Sequence, residues 1–107
     1  MNNKNHKAVS NCLSKYRKAR GLSQVEVARI LGLKSSAHVC RWEHGRCWPS
    51  AVNLLNLAAL YEVPVDWLYA DALQLLRTDM RLRAAAVLRA VKCDNKTARR
   101  RVTLDFN

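Results

Sequence analysis

The chain has 107 residues, of which 50% are hydrophobic, and its 19 Lys and Arg against 8 Asp and Glu give a formal net charge of +11. This length allows one domain with a modest core, and the apolar content excludes a disordered chain. No apolar run approaches the roughly 20 residues that span a bilayer, and the polar residues 1–10 lack the apolar core of a signal peptide, so we expect a cytoplasmic protein with no membrane partner.

The charge is unevenly divided along the chain. Residues 1–50 carry ten basic and two acidic side chains, residues 51–80 carry one and four, and residues 81–107 carry eight and two. Two basic blocks around an acidic middle suit a surface that binds a polyanion. Charge alone does not separate DNA from RNA or from an anionic lipid surface.

Cysteine and histidine usage gives little sign of a metal site. The four cysteines, at positions 12, 40, 47 and 93, form no Cys-x-x-Cys pair and are expected to be free thiols. Cys40 and His44 lie four residues apart on one helical face, close in sequence to His38 and Cys47, but no second paired element completes a zinc site. We therefore expect no metal and no cofactor. No arrangement of catalytic side chains stands out either, so we predict that the chain is not an enzyme.

The N-terminal part is predicted to be a flexible arm followed by a helix. Residues 1–7 have no apolar pattern, which is typical of a loose terminus. From residue 8 onward apolar side chains recur at helical spacing, and Gly21 is expected to end this first helix. The apolar positions of this helix are Val9, Cys12, Leu13 and Tyr16.

A second helix is predicted to begin at Gln24, because Ser23 followed by Glu26 is a capping box. Its buried face is expected to contain Val27, Ala28 and Leu31. Val25 and Ile30 are apolar at positions that we expect to be exposed.

A third helix is predicted after a turn, with Ser35 or Ser36 as its N-cap and with Val39 and Trp42 facing inward. The chain's three glycines, at positions 21, 32 and 45, each follow an apolar-periodic segment, and glycine readily adopts the left-handed conformation that ends a helix. They frame two short helices. This spacing is typical of a helix-turn-helix, which places one helix in the DNA major groove.

Two further short helices complete a compact unit. Ser50 is the expected N-cap of a fourth helix that runs to about Tyr61 and presents a wide apolar face, including Leu54, Leu55, Leu57, Ala58 and Leu60. Pro64 is expected to open a fifth helix, from Val65 to about Tyr69. We expect Trp67 in this helix, like Trp42, to be a core residue and not a base-stacking group.

A long final helix is predicted over residues 71–91, which contain no Gly or Pro. Its apolar residues recur at spacings of 3, 4, 4, 3 and 4, which makes one continuous stripe consisting of Leu73, Leu76, Met80, Ala84, Val87 and Val91. Because five short helices already close a unit, we expect this stripe to pair with a second copy. Residues 92–107 are predicted to be a basic tail whose end, with alternating Val102, Leu104 and Phe106, could form an edge strand.

Taken together, residues 13–69 resemble the Cro/C1 (XRE-type) helix-turn-helix family of phage and bacterial DNA-binding regulators. The matching motifs, in family order, are Gly-Leu-Ser-Gln at 21–24, Val-Ala at 27–28, Leu-Gly-Leu at 31–33, Glu43 with Gly45, Pro49-Ser50 and Val-Asp-Trp-Leu at 65–68. The resemblance implies an all-α fold, a five-helix lambda-repressor-like bundle, here with a long C-terminal helix and a basic tail. One departure is an extra residue between Gly32 and Val39, which lengthens the turn.

The resemblance also implies site residues. Gln24 is similar in position to a glutamine that contacts a DNA phosphate, and Arg17 with Glu43 resembles a buried ion pair that ties the first helix to the end of the third, while Arg17 can still face the DNA backbone. Ser36, Ala37 and Arg41 resemble base-reading positions, and the planar fork of Arg41 suits guanine. The remaining expected DNA contacts are Lys34, Ser35, His38, His44 and Arg46.

These features predict four segments: an arm (1–7), a DNA-binding domain (8–70), a dimerisation helix (71–91) and a basic tail (92–107). The leading interpretation is a sequence-specific transcriptional regulator that binds operator DNA as a homodimer through the helix over residues 35–44. One alternative is an antitoxin that holds a toxin through its C-terminal region and represses its own operon. Another is an RNA-binding or assembly module.

Overall fold

The computed structural model describes residues 8–94. Within this range the backbone forms six helices and no strand: α1 (Leu13–Ala19), α2 (Gln24–Leu31), α3 (Ala37–Glu43), α4 (Ala51–Tyr61), α5 (Val65–Leu68) and α6 (Ala70–Asp94). The predicted all-α class, a five-helix bundle with a long C-terminal helix, is confirmed. The predicted arm (1–7), the edge strand and residues 95–107 of the predicted tail lie outside the described residues.

The chain divides into two compact units, Met1–Gln74 and Leu75–Asn107. In the first unit, every one of the five short helices contributes to a single core. The buried apolar residues are Leu13, Val27, Ala28, Val39, Trp42, Leu57, Ala58, Tyr61, Leu68 and Tyr69. Val39 and Trp42 are the inner face of α3, as predicted, so burial fixes which side of α3 is left for solvent.

The first helix begins later than predicted. The sequence spacing indicated a helix from residue 8, but α1 begins at Leu13 and residues 8–12 are not helical. Val9 donates its backbone N–H to Gly45 (3.0 Å) and Cys12 donates to Leu68 (2.8 Å), so this segment bonds to other parts of the bundle and not to itself. The apolar Val9 lies three positions before Cys12, and one such spacing does not distinguish a helical turn from an irregular segment that bonds elsewhere.

The predicted caps are largely present. Ser23 and Glu26 form both hydrogen bonds of a capping box at the start of α2, and Gly32 ends that helix in the left-handed conformation with φ of 79°. Ser50 accepts a hydrogen bond from the backbone of Asn53 and so caps α4, which ends at Tyr61 as predicted. These local signals therefore place α2 and α4 correctly.

Two apolar residues that we expected inside are exposed. Trp67 keeps 51% of its surface accessible, because the four-residue α5 turns Leu68 to the core and leaves Trp67 against Tyr16, with ring centroids 6.1 Å apart. Leu55 is 60% exposed on α4, whose inner face consists of Leu57, Ala58 and Tyr61. Val25 and Ile30 are exposed, as expected.

The described part of the second unit is helical from Leu75 to Asp94, as the continuation of α6. One ion pair at i,i+4 spacing, between Arg83 and Asp79 (2.9 Å), supports the helix on its surface. The large apolar side chains of this stretch are between 43% and 73% exposed: Leu75, Leu76, Met80, Leu82, Val87, Leu88 and Val91.

Candidate nucleic-acid interface

The helices α2 and α3 are joined by a short turn with its own hydrogen bonds. Leu33 donates its N–H to the carbonyl of Ala28 at 2.8 Å. This bond belongs to the C-terminal cap in which the left-handed Gly32 ends α2. Ser36 occupies the N-cap position of α3 but makes no side-chain cap bond; the preceding Ser35 accepts from the N–H of Ala37 at 3.2 Å through its Oγ. After this turn, Val39 and Trp42 of α3 are both buried in the core.

The solvent side of α3 and the residues around it present polar and basic groups. Six of the predicted contact residues are exposed. Lys34 lies in the turn before α3, and the other five lie at or near α3: Ser35, His38, Arg41, His44 and Arg46. Ser36, Ala37 and Gln24 are partly exposed. Arg17 is the exception, since only 8% of it is accessible.

Arg17 forms a buried, two-point ion pair with Glu43, the last residue of α3. Its Nε lies 2.5 Å from Oε2 of Glu43 and its Nη2 lies 3.1 Å from Oε1, while the two side chains are 10% and 5% exposed. The hydrogen bond with Glu43 is the main cause that raises the pKa of Arg17 above its ordinary value, and burial opposes it. The guanidinium therefore stays charged and fixes the end of α3 against α1.

The remaining donors of Arg17 are partly used inside the bundle. Nη1 donates to the carbonyl of Leu22 at 2.8 Å, and Nη2 also lies 3.5 Å from the hydroxyl of Ser14. A guanidinium has five N–H groups, and the bonds to Glu43, Leu22 and Ser14 use four of them, so one donor remains for another acceptor. The contact of Arg17 with DNA stays a prediction.

Gln24 belongs to the same network, which the sequence did not reveal. Its Nε2 donates to Oε1 of Glu43 at 2.8 Å, so one carboxylate holds side chains from both α1 and α2. Because an amide nitrogen carries two hydrogens, this bond leaves one of them for another acceptor. Gln24 is the first residue of α2, where the helix dipole favours an anion.

An open groove of about 210 Å³ lies at the C-terminal end of α3 and is lined by Cys40, Arg41, His44 and Arg46. The Nδ1 of His44 lies 2.8 Å from the carbonyl oxygen of Cys40 and 3.5 Å from its Sγ. A carbonyl only accepts, so this nitrogen carries the proton and Nε2 is the ring nitrogen left for another partner. The groove thus brings together three of the predicted phosphate and base contacts: Arg41, His44 and Arg46.

Cys40 and His44 are adjacent, as the sequence spacing indicated, but among residues 8–94 no group of three or more metal-binding side chains comes together. None of the helices in the described range combines the length and apolar character needed to cross a bilayer. The expectations that the chain uses no metal and catalyses no reaction stay predictions.

A second polar residue that sequence reasoning missed is Asn11. Its side-chain amide lies 3.0 Å from the carbonyl of Trp42 and 3.4 Å from that of Glu43, at the end of α3. These partners are more than thirty positions away in the chain, so no local motif could have indicated the contact.

In a comparison with known families, a helix-turn-helix family model matches residues 13–68. This is just over half of the chain, and it covers α1 to α5. Comparison with curated proteins and with solved structures gives no significant match. The matched span contains α2, the turn, α3 and the Arg17–Glu43 pair described above. The chain therefore belongs to the Cro/C1-type helix-turn-helix family of DNA-binding regulators.

Proposed function

We propose that this protein is a sequence-specific transcriptional regulator that binds operator DNA as a homodimer, with α3 in the major groove. The observation that carries this proposal is the contrast between the two sides of α3. Val39 and Trp42 are buried in the core, while Arg41 and its polar neighbours are exposed on a helix whose end is fixed by a buried ion pair. A rigidly held helix with an exposed polar face is what major-groove reading requires. Such a regulator acts where the DNA is, in the cytoplasm of a bacterial cell.

The contacts divide into base readers and phosphate contacts. Ser36, Ala37 and Arg41 are the proposed base readers, because the N-terminal part of a recognition helix meets the base edges and an arginine fork can donate to O6 and N7 of guanine together. The side chains of Ser35 and His38 border this surface. The proposed phosphate contacts are Gln24, Lys34, His44, Arg46 and, through its remaining donor, Arg17.

The phosphate contact of Gln24 is supported by its bond to Glu43. A glutamine amide can turn either its oxygen or its nitrogen toward a neighbour, and only the nitrogen attracts a phosphate. Glu43 accepts from Nε2 at 2.8 Å, and this selects the nitrogen side. The second amide hydrogen and the N-terminus of α2 then act on the same phosphate.

The sharpest test compares Arg41→Ala with Gln24→Ala on two duplexes, one selected by the wild-type protein from a random pool and one scrambled. Loss of a base reader should cost about 1–3 kcal/mol on the selected duplex and little on the scrambled one. Loss of a phosphate contact should weaken both duplexes alike. Arg29→Ala, which removes an exposed arginine outside the proposed surface, is the matched control.

Equal weakening of both duplexes by Arg41→Ala would show that the longer turn shifts the reading register of α3. A wild-type protein that selects no duplex from the pool would contradict sequence-specific binding altogether. Binding should also fall on the order of a thousandfold between 50 and 200 mM salt if about 6–10 phosphates are contacted per dimer. A flat salt response would remove the phosphate contacts from the proposal.

The homodimer is supported by the apolar stripe of α6. Four of its members, Leu76, Met80, Val87 and Val91, are each at least 43% exposed within one chain, and a continuous apolar surface of this kind marks an interaction site. A second copy offers an identical apolar helix, and this satisfies both chains at once.

Sedimentation can test this pairing with two double variants of the full chain. Met80→Glu with Val87→Glu places charges in the stripe and should give monomers at tens of micromolar, a concentration range suited to weak pairs. Leu75→Glu with Leu82→Glu places the same charges on the opposite face of α6 and should leave the dimer intact. A wild-type protein that is monomeric at this concentration contradicts the homodimer. The stripe would then be a surface for a different protein, such as the toxin of the antitoxin alternative.

A further inference from the structure

The segment before α1, residues 8–12, is bonded to the loop that ends α3 and to the end of α5. The N–H of Val9 donates to the carbonyl of Gly45 at 3.0 Å, and the N–H of Cys12 donates to that of Leu68 at 2.8 Å. The approach is close enough that a Cβ on Gly45 would lie 2.6 Å from the backbone nitrogen of Val9 and closer still to its oxygen. The segment is therefore in direct backbone contact with the residue that follows α3.

Asn11 is the centre of this contact, because its side chain bonds in both directions. Its Nδ2 lies 3.0 Å from the carbonyl of Trp42, 3.4 Å from that of Glu43 and 3.0 Å from that of Val9. Its Oδ1 accepts from the N–H of Leu13, the first residue of α1, at 3.1 Å. One amide thus joins the C-terminal carbonyls of α3 to the N-terminal N–H of α1, two sets of groups that a helix leaves without internal partners.

The two carbonyls belong to residues with special roles in α3. Trp42 anchors the helix in the core, and Glu43 uses its carboxylate to hold Arg17 and Gln24. Asn11 contacts the backbone carbonyl of Glu43, and the carboxylate of Glu43 accepts hydrogen bonds from Arg17 and Gln24. Any shift of this backbone moves the carboxylate, and with it the amide that we assign to a phosphate.

We propose that Asn11 is a positioning residue for DNA binding, which fixes the end of α3 so that Glu43 can orient Gln24 and α3 can keep its angle in the groove. This inference rests on the proposed function, but it concerns a residue that touches no DNA. Only an amide fits the position. An aspartate would keep the bond to Leu13 but would turn a carboxylate toward carbonyl oxygens, and alanine would keep neither contact.

The test uses the full chain with Asn11→Ala, Asn11→Asp and the control Ser50→Ala. The control removes the N-cap of α4, a side chain that accepts a hydrogen bond from the backbone N–H of Asn53, so it lowers stability without touching α3. Affinity is measured on the selected and scrambled duplexes at a temperature where every variant is folded. In the absence of DNA, amide hydrogen exchange is measured at Gly45 and Arg46, which donate to the carbonyls of Trp42 and Arg41.

Both Asn11 variants should bind the selected duplex about tenfold more weakly, the change expected for losing one backbone-bonding amide, and should exchange faster at Gly45 and Arg46. Asn11→Asp should be no better than Asn11→Ala, although it keeps the bond to Leu13. Ser50→Ala should lower the melting temperature with no change in affinity or in exchange at these two amides. In a Gln24→Ala background the effect of Asn11→Ala on affinity should shrink, because part of it acts through Gln24.

Unchanged affinity and exchange in Asn11→Ala would overturn the proposal, and so would an Asn11→Asp variant that binds like the wild type. Faster exchange in the Asn11 variants, together with a wild-type protein that selects no duplex, would contradict the proposed function and leave the role of Asn11 in fixing α3 standing. Exchange and affinity therefore separate the two failures.

Discussion

Residues 8–74 bury many of their large apolar side chains in one core, whereas all the large apolar side chains of residues 75–91 are exposed. In the first stretch Leu13, Leu57 and Leu68 are at most 1% accessible, and in the second Leu75 and Leu82 are 73% and 66% accessible. Both stretches have the spacing of amphipathic helices. The difference is that the apolar faces of the short helices meet in one core, whereas the apolar stripe of α6 is exposed within a single chain. Apolar periodicity alone therefore specifies a helix, and the partner is specified by what surrounds it.

The bundle also differs from α6 in its ion pairs, and this gives the largest predicted effect. Glu43→Ala leaves the guanidinium of Arg17 buried without its carboxylate, which should lower the free energy of unfolding by about 3–5 kcal/mol. Asp79→Ala breaks the exposed pair with Arg83 in α6 and should cost less than about 0.5 kcal/mol. Denaturant unfolding followed by tryptophan fluorescence measures the first loss, because all three tryptophans lie in the bundle. Similar costs for the two substitutions would contradict the distinction.

Substitutions at two glycines test how tightly residues 8–12 pack against the end of α3. Gly45→Ala adds a methyl group to a left-handed residue and pushes it against the backbone of Val9, so it should cost at least about 3 kcal/mol. Gly32→Ala meets nothing within 4 Å and should cost only the backbone strain, about 1–2 kcal/mol. Thermal unfolding of the two variants side by side checks the order. Equal melting temperatures would mean that residues 8–12 can move away from Gly45 at little cost in free energy.

High pH should weaken the bundle through its buried tyrosines. Burial is the main cause that raises the pKa of Tyr69 from 10.0 to about 12, and Tyr61 is raised to about 12 in the same way. Since the unfolded chain loses these protons first, the stabilisation is complete below pH 10 and is lost as the pH rises toward 12, by about 2–3 kcal/mol for each tyrosine.

Tyr69→Phe isolates one of these contributions. Its hydroxyl is buried and has no hydrogen-bond partner among the described residues, so the variant should be as stable as the wild type at pH 7. Denaturant titrations between pH 9 and pH 12 should show a shallower loss for the variant. A variant that is markedly less stable at pH 7 would reveal a hydrogen bond that the hydroxyl makes.

The smallest effect is expected in α6. Met80→Ser and Val87→Ser should change the free energy of unfolding of the bundle by less than about 0.5 kcal/mol, because neither side chain belongs to the bundle core and both contact only the second copy of α6 in the proposed dimer. Tryptophan fluorescence reports the bundle, and far-ultraviolet circular dichroism reports all helices including α6. A large loss in the fluorescence transition would show that the bundle depends on α6 for its stability.

Much of the fold followed from short-range signals in the sequence. The Ser23–Glu26 capping box placed the start of α2 at its observed residue, and Ser50 did the same for α4. These signals act within one helical turn, so they do not depend on the rest of the structure. The start of α1 was missed because Val9 and Cys12 bond to residues far along the chain, where no local rule applies.

For the site, too, the sequence indicated some contacts and not those that depend on how the helices pack. The Arg17–Glu43 pair followed from the family resemblance, and the structure contains it. The bonds of Gln24 to Glu43 and of Asn11 to the end of α3 were not expected, because polar side chains at a helix start have many possible partners. The packing of α1 and α2 against α3 decides among them.

The single carboxylate at position 43 also has a consequence for how such a sequence can change over generations. If Arg17 is replaced first, an acid remains in the interior without a counterion; if Glu43 is replaced first, a guanidinium does. Either order passes through a variant several kcal/mol less stable, although an apolar pair at both positions can be as stable as the original. Exchange of the pair therefore requires a chain with stability to spare or two replacements at once, and we expect positions 17, 24 and 43 to vary together among relatives.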